Sequence, residues 1–142
     1  MLFQDKVALV TGGSSGIGRA AALAFAREGA RVVVADVLVE GGEETVRLVR
    51  QAGGQATFVR TDVSRAADVE AMVRHTVETY GRLDIAFNNA GIEGTQASTA
   101  ACTEENWDRT LAINLKGVGL CSDAASFVTG HALVVDGGLV AR

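Results

Sequence analysis

The chain has 142 residues, of which 48% are apolar and 21% charged, and its formal net charge is −4. This length suits one domain able to bury about two thirds of the surface its unfolded form exposes, and the composition excludes a disordered tail. The acidic balance disfavours nucleic acid or an anionic membrane as the main partner, and no apolar stretch approaches the roughly 20 residues that span a bilayer.

Residues 1–3 lead almost directly into an apolar run with none of the parts of a signal peptide, so the expected location is the cytoplasm. Cys102 and Cys121 lack metal-ligand spacing and are expected as reduced thiols, with no metal centre. There are 17 glycines and no proline, although an average proline usage of about 5% would give roughly seven. Glycine therefore supplies the turns.

Residues 6–10 form a short apolar run closing on Thr11 and a glycine cluster, the pattern of a buried parallel strand feeding a helix. Ile17, Ala20, Ala21, Ala24 and Phe25 then recur at helical spacing, and Gly29 ends that helix. Residues 31–35 predict a second strand ending at Asp36, residues 43–52 a helix stopped by Gly53 and Gly54, and residues 56–60 a third strand. Ser64 is placed to cap a helix whose inner face carries Val69, Met72, Val73, Thr76, Val77 and Tyr80, with Gly81 as terminator. Residues 83–87 predict a fourth strand. Thr103 caps a longer helix with Trp107, Leu111, Asn114, Leu115 and Val118 facing inward, and residues 132–135 predict a fifth strand. The alternation predicts an α/β fold: a single Rossmann-type doubly wound parallel sheet of about five strands, with residues 1–142 as one domain.

The run from Thr11 to Gly18 (TGGSSGIG) sits between the first strand and the first helix. Gly12 can make the tight turn, Gly16 lets backbone approach a pyrophosphate, and Gly18 permits close packing, while the free N–H groups and dipole of the helix start attract the anion. Ser14, Ser15 and Ile17 belong to the same cradle. Asp36 follows Gly18 by 18 residues at the end of the second strand, where a carboxylate accepts hydrogen bonds from the adenosine ribose and repels a 2′-phosphate. Its neighbour is Val37 rather than a compensating cation, so NAD is the expected cofactor.

With this loop, Asp36, the pair Asp62-Val63, the run Asn88-Asn89-Ala90-Gly91 and the helix bearing Asn114 in order, the chain resembles the short-chain dehydrogenase/reductases. The resemblance implies that Asp62 binds the adenine amino group and Val63 its ring, and that Asn89, Ala90 and Gly91 support the cofactor. It makes Asn114 the one surviving member of the catalytic set, ordering a water; the alternative is a structural amide bonded to the backbone of strand four. It also implies self-association through the helix carrying Trp107 and Asn114.

The tail from Ser122 to Gly138 resembles the family's final segment but arrives early. The strand with the catalytic serine, the Tyr-x-x-x-Lys helix and the substrate loop are missing, with the join near Leu120-Cys121. The sheet order expected from the shortened chain is 3-2-1-4, with the last strand beside strand four.

No replacement for the catalytic groups is visible. Tyr80, the only tyrosine, is followed four residues later by Asp84 and points with the apolar stripe. Lys6 starts strand one, at the wrong end of the sheet for ligands, and Lys116 stands roughly 200° round the helix from Asn114. His75, on a mostly exposed helix position, and His131 read as solvated imidazoles, and Asp136 as a strand-end turn. The resulting expectation is an NAD(H)-binding protein with little or no turnover. The alternatives are an NAD-dependent alcohol or ketone oxidoreductase completed by a partner chain, and a self-associating fold without ligand.

Overall fold

The computed structural model describes residues 1–124. Their elements run β1 (Val7–Thr11), α1 (Gly16–Arg27), β2 (Arg31–Asp36), α2 (Val39–Gln51), β3 (Gln55–Arg60), α3 (Ala66–Tyr80), β4 (Ile85–Asn88), a 3₁₀ turn (Thr99–Ala101), α4 (Glu104–Leu111), a π turn (Ala112–Lys116) and α5 (Gly117–Ala124). The four strands form a parallel sheet in the order β3-β2-β1-β4, the order expected from the sequence. The predicted fifth strand and its place beside β4 lie outside the described residues, as do His131 and Asp136.

Strand alternation divides the core in two. Ala8, Val10, Val32 and Val34 face α1 and α2, where Ala22, Val46 and Val49 meet them. Leu9, Val33 and Ala35 face the other way, onto Val69 and Met72 of α3 and Cys121 of α5. With both faces covered, β1 is buried along its whole length, as a central parallel strand requires. The same burial pushes the Cys121 thiol up to about 11, so it is a packing group rather than a nucleophile.

Four local expectations are corrected. α2 begins at Val39, four residues before the predicted start at Glu43, because a helix there needs a residue without a side chain against Phe58. A Cβ on Gly42 would lie 2.1 Å from that ring, and this contact overrides the poor helix propensity of glycine. Ser64 does not cap α3: Arg65 precedes the helix, and the Ser64 hydroxyl donates to Asp62 Oδ1 at 2.6 Å. Val77 is 45% exposed, whereas His75 is half-buried with Nε2 lacking a hydrogen-bond partner among the described residues. Finally, the helix that Thr103 caps, accepting from Asn106 N at 3.2 Å, is interrupted by the π turn. Trp107, Leu111, Asn114 and Leu115, predicted to face inward, are all exposed, Trp107 and Leu115 at 60% and 68%. Gly117 and Cys121 pack inward instead, since an extra residue in a turn rotates the following face by about 100°.

Tyr80 is half-buried, with the Arg31 guanidinium 5.5 Å from its ring centre, and burial raises its phenol above the usual range. Among the described residues no helix is long and apolar enough to cross a membrane.

Asp84 joins β4 to β1 at the opposite end from the glycine cluster. Its N–H donates to Val7 O at 3.0 Å, and its carboxylate accepts from Val7 N at 2.9 Å and Arg82 Nε at 3.0 Å, with Lys6 Nζ 3.7 Å away. Burial pushes this carboxyl up, but the bonds from Arg82 and Val7 and the charges of Arg82 and Lys6 outweigh it and hold it below its ordinary value. Ionised Asp84 therefore contributes stability that is fully present above the unfolded value of about 3.9 and is lost as pH falls through the lower native one. Asp84→Asn should flatten the acid limb of stability against pH in urea titrations; an unchanged slope would refute this assignment.

Candidate functional site

β1 ends at Thr11, and the chain turns through Gly12, whose φ of +66° is left-handed, before α1 begins at Gly16. The close approach is at Gly18: a Cβ there would lie 2.1 Å from Gly12 O and 2.7 Å from Asn89 Nδ2. Glycine at this position lets the first turn of α1 press on the loop, so the unpaired N–H groups of that turn stand beside the strand ends. Ser14 is buried, while Ser15, Gly16 and Ile17 are exposed.

β4 supplies the other wall. Asn89 Nδ2 donates to Thr11 O at 3.1 Å and Gly12 O at 3.2 Å. Thr11 Oγ1 accepts from Asn89 N at 3.0 Å and Ala90 N at 3.1 Å. The Asn88–Gly91 run is thus fastened to the glycine turn across neighbouring strands, with buried Thr11 as the joint. Sequence reading treated Thr11 only as a strand end; its one signal was a hydroxyl residue directly before the glycines.

At the end of β2, Asp36 Oδ2 accepts from Ser14 N and Oδ1 from Leu38 N, both at 3.0 Å. Each oxygen keeps lone-pair capacity for a further donor. Asp62, after β3, is held below its ordinary value first by the Ser64 hydroxyl; burial opposes this, and the Ser64 N–H and the charges of Arg65 and Arg60 assist. Asp36 and Asp62 border a cleft of about 130 Å³ whose apolar walls include Val37, Val63, Ala90 and Ile113. Gly12 and Gly91 also line it. Ile113, from the π turn, was not foreseen, because its orientation depends on that interruption.

A larger recess of about 670 Å³ lies along α2 and β3, beside Arg47, Arg50 and Phe58. It does not lie at the carboxyl ends of the strands, where ligands gather in open α/β sheets.

Asn114 sits in the π turn. Its Nδ2 donates to Ile92 O and its Oδ1 accepts from Ile92 N, both at 2.8 Å. The amide therefore clamps the loop four residues beyond β4, rather than β4 itself. Lys116 is exposed on the same turn, and Lys6 stands at the far end of β1 beside Asp84.

A sequence model of the short chain dehydrogenase family matches residues 6–129. An uncharacterized oxidoreductase of Thermotoga maritima is 48% identical over 125 residues, covering 88% of this chain and 49% of that protein. Levodione reductase of Leifsonia aquatica is 47% identical over 120 residues, covering 83% and 45%. Among solved structures, a mutant short-chain dehydrogenase/reductase of Serratia marcescens superposes with a TM-score of 0.85 at 36% identity, over 89% of this chain and 52% of that one. A levodione reductase crystal structure gives 0.83 at 44% identity, over 85% and 48%. The chain spans about half the length of the curated relatives it matches.

Gly18→Ala tests the packing of the loop. Forcing a methyl against Gly12 O should cost about 1–3 kcal/mol, read as a lower melting temperature; a melt equal to that of the parent chain would mean the loop has slack.

Proposed function

Because the chain belongs to the short-chain dehydrogenase/reductase family, we propose that these 142 residues bind NAD or NADH and by themselves turn over little or no substrate. The observation that carries this reading is the placement of Asp36 beside the glycine turn, its two oxygens held by Ser14 N and Leu38 N. A carboxylate there favours ribose hydroxyls and opposes a 2′-phosphate, and adjacent Val37 brings no cation to offset it.

Gly12, Ser14, Ser15, Gly16, Ile17 and Gly18 would hold the pyrophosphate at the start of α1. Asp36 would take the ribose, Asp62 and Val63 the adenine, and Asn89, Ala90 and Gly91 the wall beyond. The bound nicotinamide would supply hydride chemistry. A ketone also needs a proton donor for the developing alkoxide, and in these residues the only tyrosine is followed four positions on by Asp84 rather than lysine. Asn114 has both ends of its amide engaged by Ile92. Residues that act as a unit in catalysis fail together, which supports binding without efficient turnover.

The exposed apolar face of Trp107, Leu111 and Leu115, at 60%, 37% and 68%, supports self-association through α4, the π turn and α5.

A thermal melt with NAD at about 100 times its Kd should gain about 2.7 kcal/mol, raising the midpoint by roughly 5–10 °C, with no rise from NADP and none with NAD in Asp36→Arg. Equal melts with and without NAD would reject the reading. A panel of secondary alcohols with NAD should give no steady NADH production from this chain; production abolished by Asp36→Arg would establish turnover instead. Trp107→Glu should shift sedimentation toward the monomer, and a monodisperse monomer before substitution would reject the self-association surface.

A further inference from the structure

Beneath the glycine loop lies a polar contact made by residues that do not line the cleft between Asp36 and Asp62. Thr45 of α2 is fully buried. Its Oγ1 donates to Gly13 O at 2.8 Å, with Gly41 O of its own helix at 3.1 Å, and accepts from Arg19 Nε at 3.0 Å. One hydroxyl proton serves one acceptor at a time, and the shorter contact is to the loop. Arg19, from α1, extends Nη2 to Ser14 O and, at 3.3 Å, to Gly41 O. The fit requires glycine at position 41, where a Cβ would lie 2.9 Å from Ser14 Cβ. Two successive loop carbonyls are thus held from the α2 side.

Peptide planarity gives this a consequence for the loop's donors. Fixing Gly13 O toward Thr45 turns the Ser14 N–H the opposite way, and it meets Asp36 Oδ2 at 3.0 Å. Fixing Ser14 O toward Arg19 likewise turns the Ser15 N–H away from Arg19. Without these two anchors, the Gly13–Ser14 plane is held by the Asp36 bond alone, and the Ser14–Ser15 plane loses its tie to Arg19. We infer that the Arg19–Thr45 contact is a positioning clasp that presets the phosphate loop for the pyrophosphate of a bound adenosine diphosphate group. It also commits the Nε and Nη2 donors of Arg19 to protein acceptors. The inference rests on the reading of the cleft as a dinucleotide site.

The test compares wild type with Thr45→Val, which keeps shape and loses the hydroxyl, Thr45→Ser, which keeps the hydroxyl, and Arg19→Gln as a second route should Thr45→Val not fold. Kd values are measured for NADH, ADP-ribose and adenosine, and amide exchange is followed without ligand. Thr45→Val should weaken NADH and ADP-ribose about tenfold, the scale of one buried hydrogen bond, with adenosine much less affected. Thr45→Ser should restore binding, and Arg19→Gln should act in the same direction as Thr45→Val. Exchange at Ser14 and Ser15 should quicken in Thr45→Val while β1 stays protected. Wild-type affinity for ADP-ribose in Thr45→Val, or an equal loss for all three ligands, overturns the clasp alone. A wild-type chain that binds none of the three overturns the dinucleotide reading and the clasp together.

Discussion

The approach of α1 to the glycine turn is the constraint on which the candidate site depends. With a Cβ at Gly18 lying 2.1 Å from Gly12 O, a side chain would push the helix start away from the end of β1. It would displace the N–H groups of the first helical turn, which are the natural attraction for an anion. The same pressure brings Asn89 Nδ2 close enough to bond both Thr11 O and Gly12 O. The loop is therefore gripped between α1 and the residues following β4, and the parallel pairing of β1 with β4 brings those residues into reach.

That pairing is a consequence of the doubly wound order. Helices α1 and α2 cover one face while α3 and α5 cover the other, so the crossover from β3 to β4 returns the chain beside β1. The point of reversal lies between β1 and β4, where a crevice opens at the carboxyl ends of the strands. Asp36 and Asp62, at the ends of β2 and β3, reach the crevice from one side, and Ala90 and Ile113 reach it from the other. Two carboxylates at the rim and aliphatic side chains at the walls suit a ligand with hydroxyl and amino donors around a flat apolar body.

The chemistry of the site is uneven. The glycine turn, Asp36 and the residues after β4 are tied together by individual backbone bonds, whereas Tyr80 packs on α3 beneath Arg31, and Lys6 is paired with Asp84 at the opposite end of the sheet. β4 is half-buried at all four of its residues, unlike β1, and Trp107, Leu111 and Leu115 present apolar surface. This unevenness matches the coverage of the relatives, about half of whose length corresponds to this chain.

The glycine spacing, Asp36, and the alternation of apolar runs with helical stripes were legible in the sequence because each is a local pattern tied to one backbone geometry. Strand order followed from that alternation together with the handedness of crossovers. The start of α2 was not legible, because Gly42 reads as a helix breaker until Phe58, 16 residues away, fills the space beside it. Nor was the role of Ser64, whose hydroxyl chose Asp62 over the helix end. The inward packing of Gly117 and Cys121 followed from a π turn that a 3.6-residue period does not encode. Thr11, Arg19 and Thr45 became visible as supports only in three dimensions, since their partners lie up to 79 residues apart in the chain. By itself the sequence determined the class of fold and the place of the glycine turn between the first strand and the first helix, both written in short-range spacing. The tertiary structure alone decided which carbonyls and amides face one another across the loop, because hydrogen-bond direction depends on contacts between separate elements.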